Sequence, residues 1–336
     1  MRKYFSKLML PAVALATCAV QLTSTAKAGT VYAFAEQKAY NMTMTSVGSA
    51  GNLTNGAFNI ITNTSASLTG FPGQSFSVPV LDAQQSYLGS APAPVENLSG
   101  NAVNPNTQQV LTQFNTTPNG VANALVNNLP TAASMTQPTF SRADALTWNP
   151  PSSTSPPLPM GYLFDPAFAG GNVAIDSAAE GLLNSVNVGN GNSQSGWQIT
   201  GSFTLTSSDS VNLGFSLINR LVAYADVAGN VASTNTQLVF RITDQAFPFS
   251  PQFAPSPIAY SLSFPVVGST TQNVNGSYAL TSAILAAGNY NFTITGTTQT
   301  QVSLVPEPAS YVMMGLGLVT VGGLRFRRKM LKGLGK

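Results

Sequence analysis

The chain contains no histidine, and its single cysteine, Cys18, lies close to the N-terminus. Without histidine there are no His-based triads, no Cys-His dyads and none of the usual zinc sites. With one thiol no intrachain disulfide can form, so the fold must rest on core burial, which a chain of 336 residues can supply. Charge is scarce as well. Asp, Glu, Lys and Arg make up 7% of the residues, against about 25% in an ordinary soluble domain. Ser, Thr, Asn, Gln and Gly carry the polarity instead. Between residues 29 and 304 the only bases are Lys38, Arg142, Arg220 and Arg241. They face ten acids, which leaves this body at −6. An acidic body without a basic cluster has no electrostatic footprint for nucleic acid. No P-loop or dinucleotide fingerprint occurs, and no Asp-x-Asp calcium loop, although backbone carbonyls with one Asp can still hold calcium in a sandwich loop. The acids are scattered, and no two stand out as the carboxylate pair of a glycosidase. These absences predict a non-enzymatic protein with no cofactor, no catalytic residue and no metal site. They also predict a stability that changes little between about pH 6 and pH 8, since few groups titrate there.

The positive charge sits at the two ends. Arg2, Lys3 and Lys7 form a short basic opening, followed by an apolar stretch from Leu8 to Val20 that only Pro11 and Thr17 interrupt. Ala26-Lys27-Ala28 then gives the small-x-small pattern that a signal peptidase accepts, placing cleavage between Ala28 and Gly29 and making residues 1–28 a signal peptide. The apolar stretch is too short for a membrane span. Lipid attachment at Cys18 is the weaker alternative, because Thr17 stands where Gly, Ala or Ser is wanted.

At the other end, Val305-Pro306-Glu307-Pro308 precedes a charge-free segment, Ala309 to Leu324, and then Arg325-Phe326-Arg327-Arg328-Lys329. As a helix, residues 309–324 would span roughly 24 Å. That is slightly short of the hydrocarbon core, and flanking basic side chains can snorkel to cover the difference. The positive-inside rule keeps Arg325, Arg327, Arg328 and Lys329 cytoplasmic and puts Pro306-Glu307-Pro308 on the exported side. The two prolines hold the triplet extended, the form in which proteases bind chains. The combination in residues 305–329, with an N-terminal signal peptide, resembles the PEP-CTERM sorting signal. The resemblance implies cleavage by exosortase, a membrane-embedded cysteine protease, with Pro306, Glu307 and Pro308 as the recognised residues. It also implies an inner-membrane-anchored precursor in a Gram-negative bacterium and delivery to the cell surface or an extracellular polysaccharide matrix. The expected partners are thus exosortase, signal peptidase, the general secretion machinery and extracellular polysaccharide. The membrane is a partner of the precursor only.

The body reads as antiparallel β-structure. Trp197, Ile199, Phe203 and Leu205 alternate with Gln198, Thr200, Ser202 and Thr204. The same period-two pattern recurs at Val211–Leu217, Leu238–Ile242, Ile258–Phe264 and Tyr290–Ile294. Ser208-Asp209, Gly229-Asn230, Asn275-Gly276 and Gly288-Asn289 supply turn signals between the runs. This predicts an antiparallel β-sandwich of jelly-roll type. The first half is less regular. Ala57–Thr62 and Phe76–Val80 read as strands, Thr107–Phe114 as a short helix, and Pro150–Pro159 as a loop that either crosses one body or divides it. Ser177 and Glu180 have the spacing of a capping box ahead of Leu182, Leu183 and Val186, which predicts a helix start. The same stretch, Asp176-Ser177-Ala178-Ala179-Glu180-Gly181, is similar to an Asp-Ser-Ala-x-x-Gly pattern found in some PEP-CTERM proteins, with no chemistry attached to it.

Trp148, Trp197, Tyr162 and Phe164 are the aromatics considered for stacking on sugars, and for Trp197 the alternation favours the core. The expected function is a structural or adhesive component of a biofilm or floc matrix. A carbohydrate-binding module and a secreted polysaccharide hydrolase are the alternatives.

Overall fold

A computed structural model describes residues 29–49, 51–69, 83–89, 139–148, 158–159, 164, 174–184, 189–264 and 267–304. The expected helix at 107–114, the alternation at 76–80, the 309–324 span and both sorting ends lie outside these residues. The named elements among the described residues are all strands: β1 (Thr30–Ser46), β2 (Leu53–Leu68), β3 (Ala83–Gly89), β4 (Phe140–Trp148), β5 (Leu158–Pro159), β6 (Ala174–Asn184), β7 (Gly189–Leu205), β8 (Val211–Ala225), β9 (Val231–Asp244), β10 (Pro251–Phe253), β11 (Ile258–Phe264), β12 (Gly268–Thr281) and β13 (Gly288–Leu304). They form two antiparallel sheets. Sheet A has the order β12-β8-β1-β6-β4-β3. Sheet B has the order β10-β9-β13-β7-β2-β5, with β11 also on β9. Gly29–Asn184 and Gly189–Leu304 make one compact unit, and the chain's other unit lies outside the described residues.

The alternating runs are where the strands form. Their apolar residues meet between the sheets: Trp197, Ile199 and Phe203 of β7, Phe240 of β9 and Phe292 of β13 pack with Leu213, Phe215 and Leu217 of β8 and Met42 of β1. A second patch joins Val31, Ala33, Ala223 and Ala225 of sheet A to Ala232, Val302 and Leu304 of sheet B. The largest core side chain, Trp197, is 1% exposed and lies over its cross-strand partner Gly296, where any Cβ would run into the indole. An aromatic ring thus fills the space that a glycine leaves in the neighbouring strand.

The two ends of the sandwich differ. At one, Gly29 packs against Leu304, the first described residue against the last, so the unit closes on itself. Thr30 N donates to Asp226 Oδ1 there at 2.6 Å, and Gly229, at φ +95°, closes the turn from β8 to β9 where the sequence predicts it. At the other end, Asp209 ties together the turns that follow β1 and β7. It accepts hydrogen bonds from Gly48 N (2.9 Å), Ser49 N (3.3 Å), Ser210 N (2.8 Å) and Asn52 Nδ2 (3.1 Å). Those donors, Asn52 foremost, hold its carboxyl below the usual aspartate range.

Three local expectations are overturned. Asp176–Gly181 is not a helix start but the first half of β6, paired with β1 and β4 over its length. Both faces of that strand are buried, with Ile175, Ala179 and Leu183 on one and Ala178 and Leu182 on the other. Burial on both sides erases the alternation that marks a strand and overrides a capping pattern four residues long. Asn275-Gly276 is no turn: it lies inside β12, opposite Ile218 and Leu217 of β8, where a continuous ladder outweighs local turn chemistry. Gly288-Asn289 is the first pair of β13 rather than a turn between strands. The end of the proline-rich stretch, Leu158-Pro159, pairs as β5 with Ala57 and Phe58.

Candidate functional site

Period two also sorts the polar residues. On the outer face of sheet B, register places Ser263, Ser233, Gln301, Asn192 and Ser67 side by side across β11, β9, β13, β7 and β2. The next row is Ser261, Asn235, Gln299, Gln194 and Ser65, and the third is Ala259, Gln237, Thr297, Gly196 and Asn63. Further along come Thr295 and Gln198, then Thr293, Thr200 and Asn59, and then Asn291 and Ser202. Arg241 is the one charged residue in these rows.

The β9, β13, β7 and β2 members of the first two rows line a trough of about 400 Å³. Gln194, Gln299, Gln301, Asn192 and Asn235 are exposed along it. Its floor is fixed from below, where Ser193 Oγ meets Thr300 Oγ1 at 2.6 Å and donates to the Glu180 carbonyl at 3.0 Å, tying β7 and β13 to β6. Each amide offers donors and an acceptor, and each hydroxyl offers both. A polymer laid across the strands meets an equivalent side chain every ~4.8 Å. Such a face can hydrogen-bond many hydroxyl groups and presents almost no fixed charge.

The aromatics named from the sequence do not serve this face. Trp197 and Phe164 are buried, Phe164 edge-on to Phe292 at 5.5 Å between ring centres. Tyr162 and the side chain of Trp148 lie outside the described residues. Among the described residues the exposed aromatics are Phe247 and Phe249 between β9 and β10, 67% and 99% exposed. Sequence reasoning passed over them, although Ala246-Phe247-Pro248-Phe249 visibly breaks the strand alternation.

The outer face of sheet A is of the opposite kind. Acids that are scattered in the sequence, and that would be solvated loop residues on composition alone, are gathered there by register and buried. Glu36 lies opposite Arg220, with a carboxylate–guanidinium distance of 3.4 Å. Lys38 lies opposite Asp176, and Arg142 opposite Glu180. Arg142 Nε is 2.7 Å from Asp144 Oδ2, and Tyr32 Oη donates to Glu180 Oε1 at 2.7 Å. All are 9% exposed or less.

Burial pushes Asp176 well above the usual carboxyl range, and the Glu36 charge adds to the shift. Burial also raises Glu36 and lowers Lys38, partly offset by the opposite charges around each. The Lys38 and Arg220 charges and a backbone hydrogen bond at Ser177 offset part of the rise at Asp176. This cluster has the geometry of an internal charge lattice. Its shifted groups were not foreseen in the expectation of a pH-insensitive body.

Among the described residues no three His, Cys, Asp or Glu side chains converge as metal ligands, and no helix is long and apolar enough to cross a membrane. Ala26 and Ala28, Pro306, Glu307 and Pro308, and Arg325, Arg327, Arg328 and Lys329 lie outside the described residues. Comparison with known families finds a match over residues 304–329, described as the PEP-CTERM protein-sorting motif. No curated protein and no solved structure matches the chain.

Proposed function

We propose, from the premise that a chain carrying the PEP-CTERM sorting motif is exported and processed by exosortase, that the released body is a non-enzymatic structural component of an extracellular matrix. It associates with the exopolysaccharide of its Gram-negative host through the outer face of sheet B. The observation that carries this reading is the block of uncharged Ser, Asn and Gln rows that lines the trough across four strands. Single hydrogen bonds to hydroxyls are weak in water, but many of them repeated along a polymer give avidity without a deep site. Signal peptidase would cut before Gly29 and exosortase near Pro306-Glu307-Pro308. Both cuts would fall at one end of the sandwich, since Gly29 packs on Leu304. The uncut precursor would be held in the inner membrane by residues 309–324.

Binding of the purified body, Gly29–Leu304, to isolated matrix polysaccharide at low and high salt tests this function. Weak binding that survives high salt is expected, because few ion pairs contribute. No binding at either salt would reject it, and binding abolished by moderate salt would point to an electrostatic partner.

A further inference from the structure

Sheet edges are where one chain can add to another, and proteins normally guard them with short strands, proline or charge. Several edges here are guarded. β5 is two residues long and ends in Pro159, β10 is three residues long and begins with Pro251, and β11 is preceded by Pro255 and Pro257. β3, the far edge of sheet A, carries no proline and no charge but is only seven residues long.

Among the described residues, two longer edges carry no proline and no charge along their open stretches. β12 forms the edge of sheet A for 14 residues, GSTTQNVNGSYALT, with no proline and no charge. None of its residues is buried. β2 has a described partner on its outer side only at Ala57 and Phe58. Its remaining stretch, Asn59–Leu68, is also free of proline and charge.

These two edges lie on opposite flanks. β12 stands over β11, where Tyr278 Oη meets Tyr260 Oη at 2.7 Å. β2 stands under β3, where Thr64 Oγ1 meets Ser86 Oγ at 2.8 Å. Their directions are also opposed. β12 runs from Gly268, beside Ala225, to Thr281, beside Asn212. β2 runs from Leu53, beside Leu205, to Leu68, beside Gly191. β12 therefore leads away from the end holding Gly29 and Leu304, and β2 leads toward it.

We infer that the partner of each edge is a second copy of this chain, with β12 of one copy adding antiparallel to β2 of the next. A peptide donated by some other protein would need one open edge. Two open edges, on opposite flanks and antiparallel when the copies stand the same way up, suit a head-to-tail repeat. Such a contact is heterologous, so it does not close after two copies and extends into a row. Every copy in the row has its Gly29/Leu304 end on the same side, as copies delivered from one membrane would. Neutral edges also let bodies of net charge −6 approach where repulsion is least. The inference stands independently of polysaccharide binding.

The test is the oligomeric state of Gly29–Leu304 by light scattering and sedimentation over a wide concentration range, without polysaccharide. The wild type is expected to grow continuously in mass with concentration. A wild type that stays monomeric throughout overturns the proposal without any variant. Asn275→Lys with Ser277→Lys blunts β12, and Ile61→Lys with Asn63→Lys blunts β2; all four side chains are exposed in the monomer. Each double variant, checked for an unchanged far-ultraviolet spectrum and unfolding temperature, should be monomeric alone, and the two mixed should form one-to-one dimers. Growth of either variant like the wild type, or dimers of the β2 variant by itself, would overturn the β12–β2 contact.

Discussion

Asp176 is a carboxyl whose burial raises its hold on a proton, and that has a sign. In the unfolded chain it loses its proton near about pH 3.9. In the fold, burial and the Glu36 charge hold the proton to higher pH. The native state thus binds more protons than the unfolded state above that point, and stability falls as pH rises toward the raised value. Glu36 contributes in the same sense. Lys38, lowered by burial, works in the opposite sense up to its ordinary value near about pH 10.4. An amide imitates a neutral carboxyl, so Asp176→Asn should be at least as stable as wild type at neutral pH, with a flatter curve of unfolding temperature against pH. Glu36→Gln removes the carboxylate facing Arg220 and should destabilise by roughly 3 kcal/mol, the scale of a broken buried pair. Thermal unfolding of both variants across pH checks this. An Asp176→Asn protein as unstable as Glu36→Gln, with the wild-type slope, would contradict the raised proton affinity of Asp176. None of this was legible in the sequence, where Tyr32 and Glu180, now hydrogen-bonded, are 148 residues apart.

At the scale of elements, strands with one wet face could be read and strands with two dry faces could not. β7, β9 and β13 alternate Thr, Ser or Gln with Ile, Phe or Leu, and they form where that pattern stands. β6 is buried on both faces by Ala, Ser, Leu and charged side chains, so its sequence kept only the local cap signal. The polar rows were legible as composition but not as a place, because register between strands far apart in the chain decides which residues share a row. Register also explains Gly296, which looks expendable in the sequence. Gly296→Ala would put a methyl group into the Trp197 indole and should destabilise by about 1–3 kcal/mol, as overpacked cores do. Denaturant unfolding monitored by tryptophan fluorescence measures it; an unchanged midpoint would mean the indole has room to move.

For the whole molecule, the sorting motif and the sandwich are separate statements. The tail was legible because its signal is local: three residues, an apolar stretch and a basic cluster, matched at 304–329. Replacing Pro308 with Ala should leave a membrane-bound precursor in the cell, read from the mass of the secreted form. Equal release of the two proteins would contradict recognition of the triplet.

The proposed polysaccharide-binding surface is one face of the body, the neutral rows of sheet B. The most direct measurement is nuclear magnetic resonance of the side-chain amides while matrix polysaccharide is added. The signals of Asn192, Gln194, Asn235, Gln299 and Gln301 are predicted to shift together, while Asn273 and Asn275 of β12 stay in place. Shifts confined to the turn holding Phe247 and Phe249, or to sheet A, would contradict it.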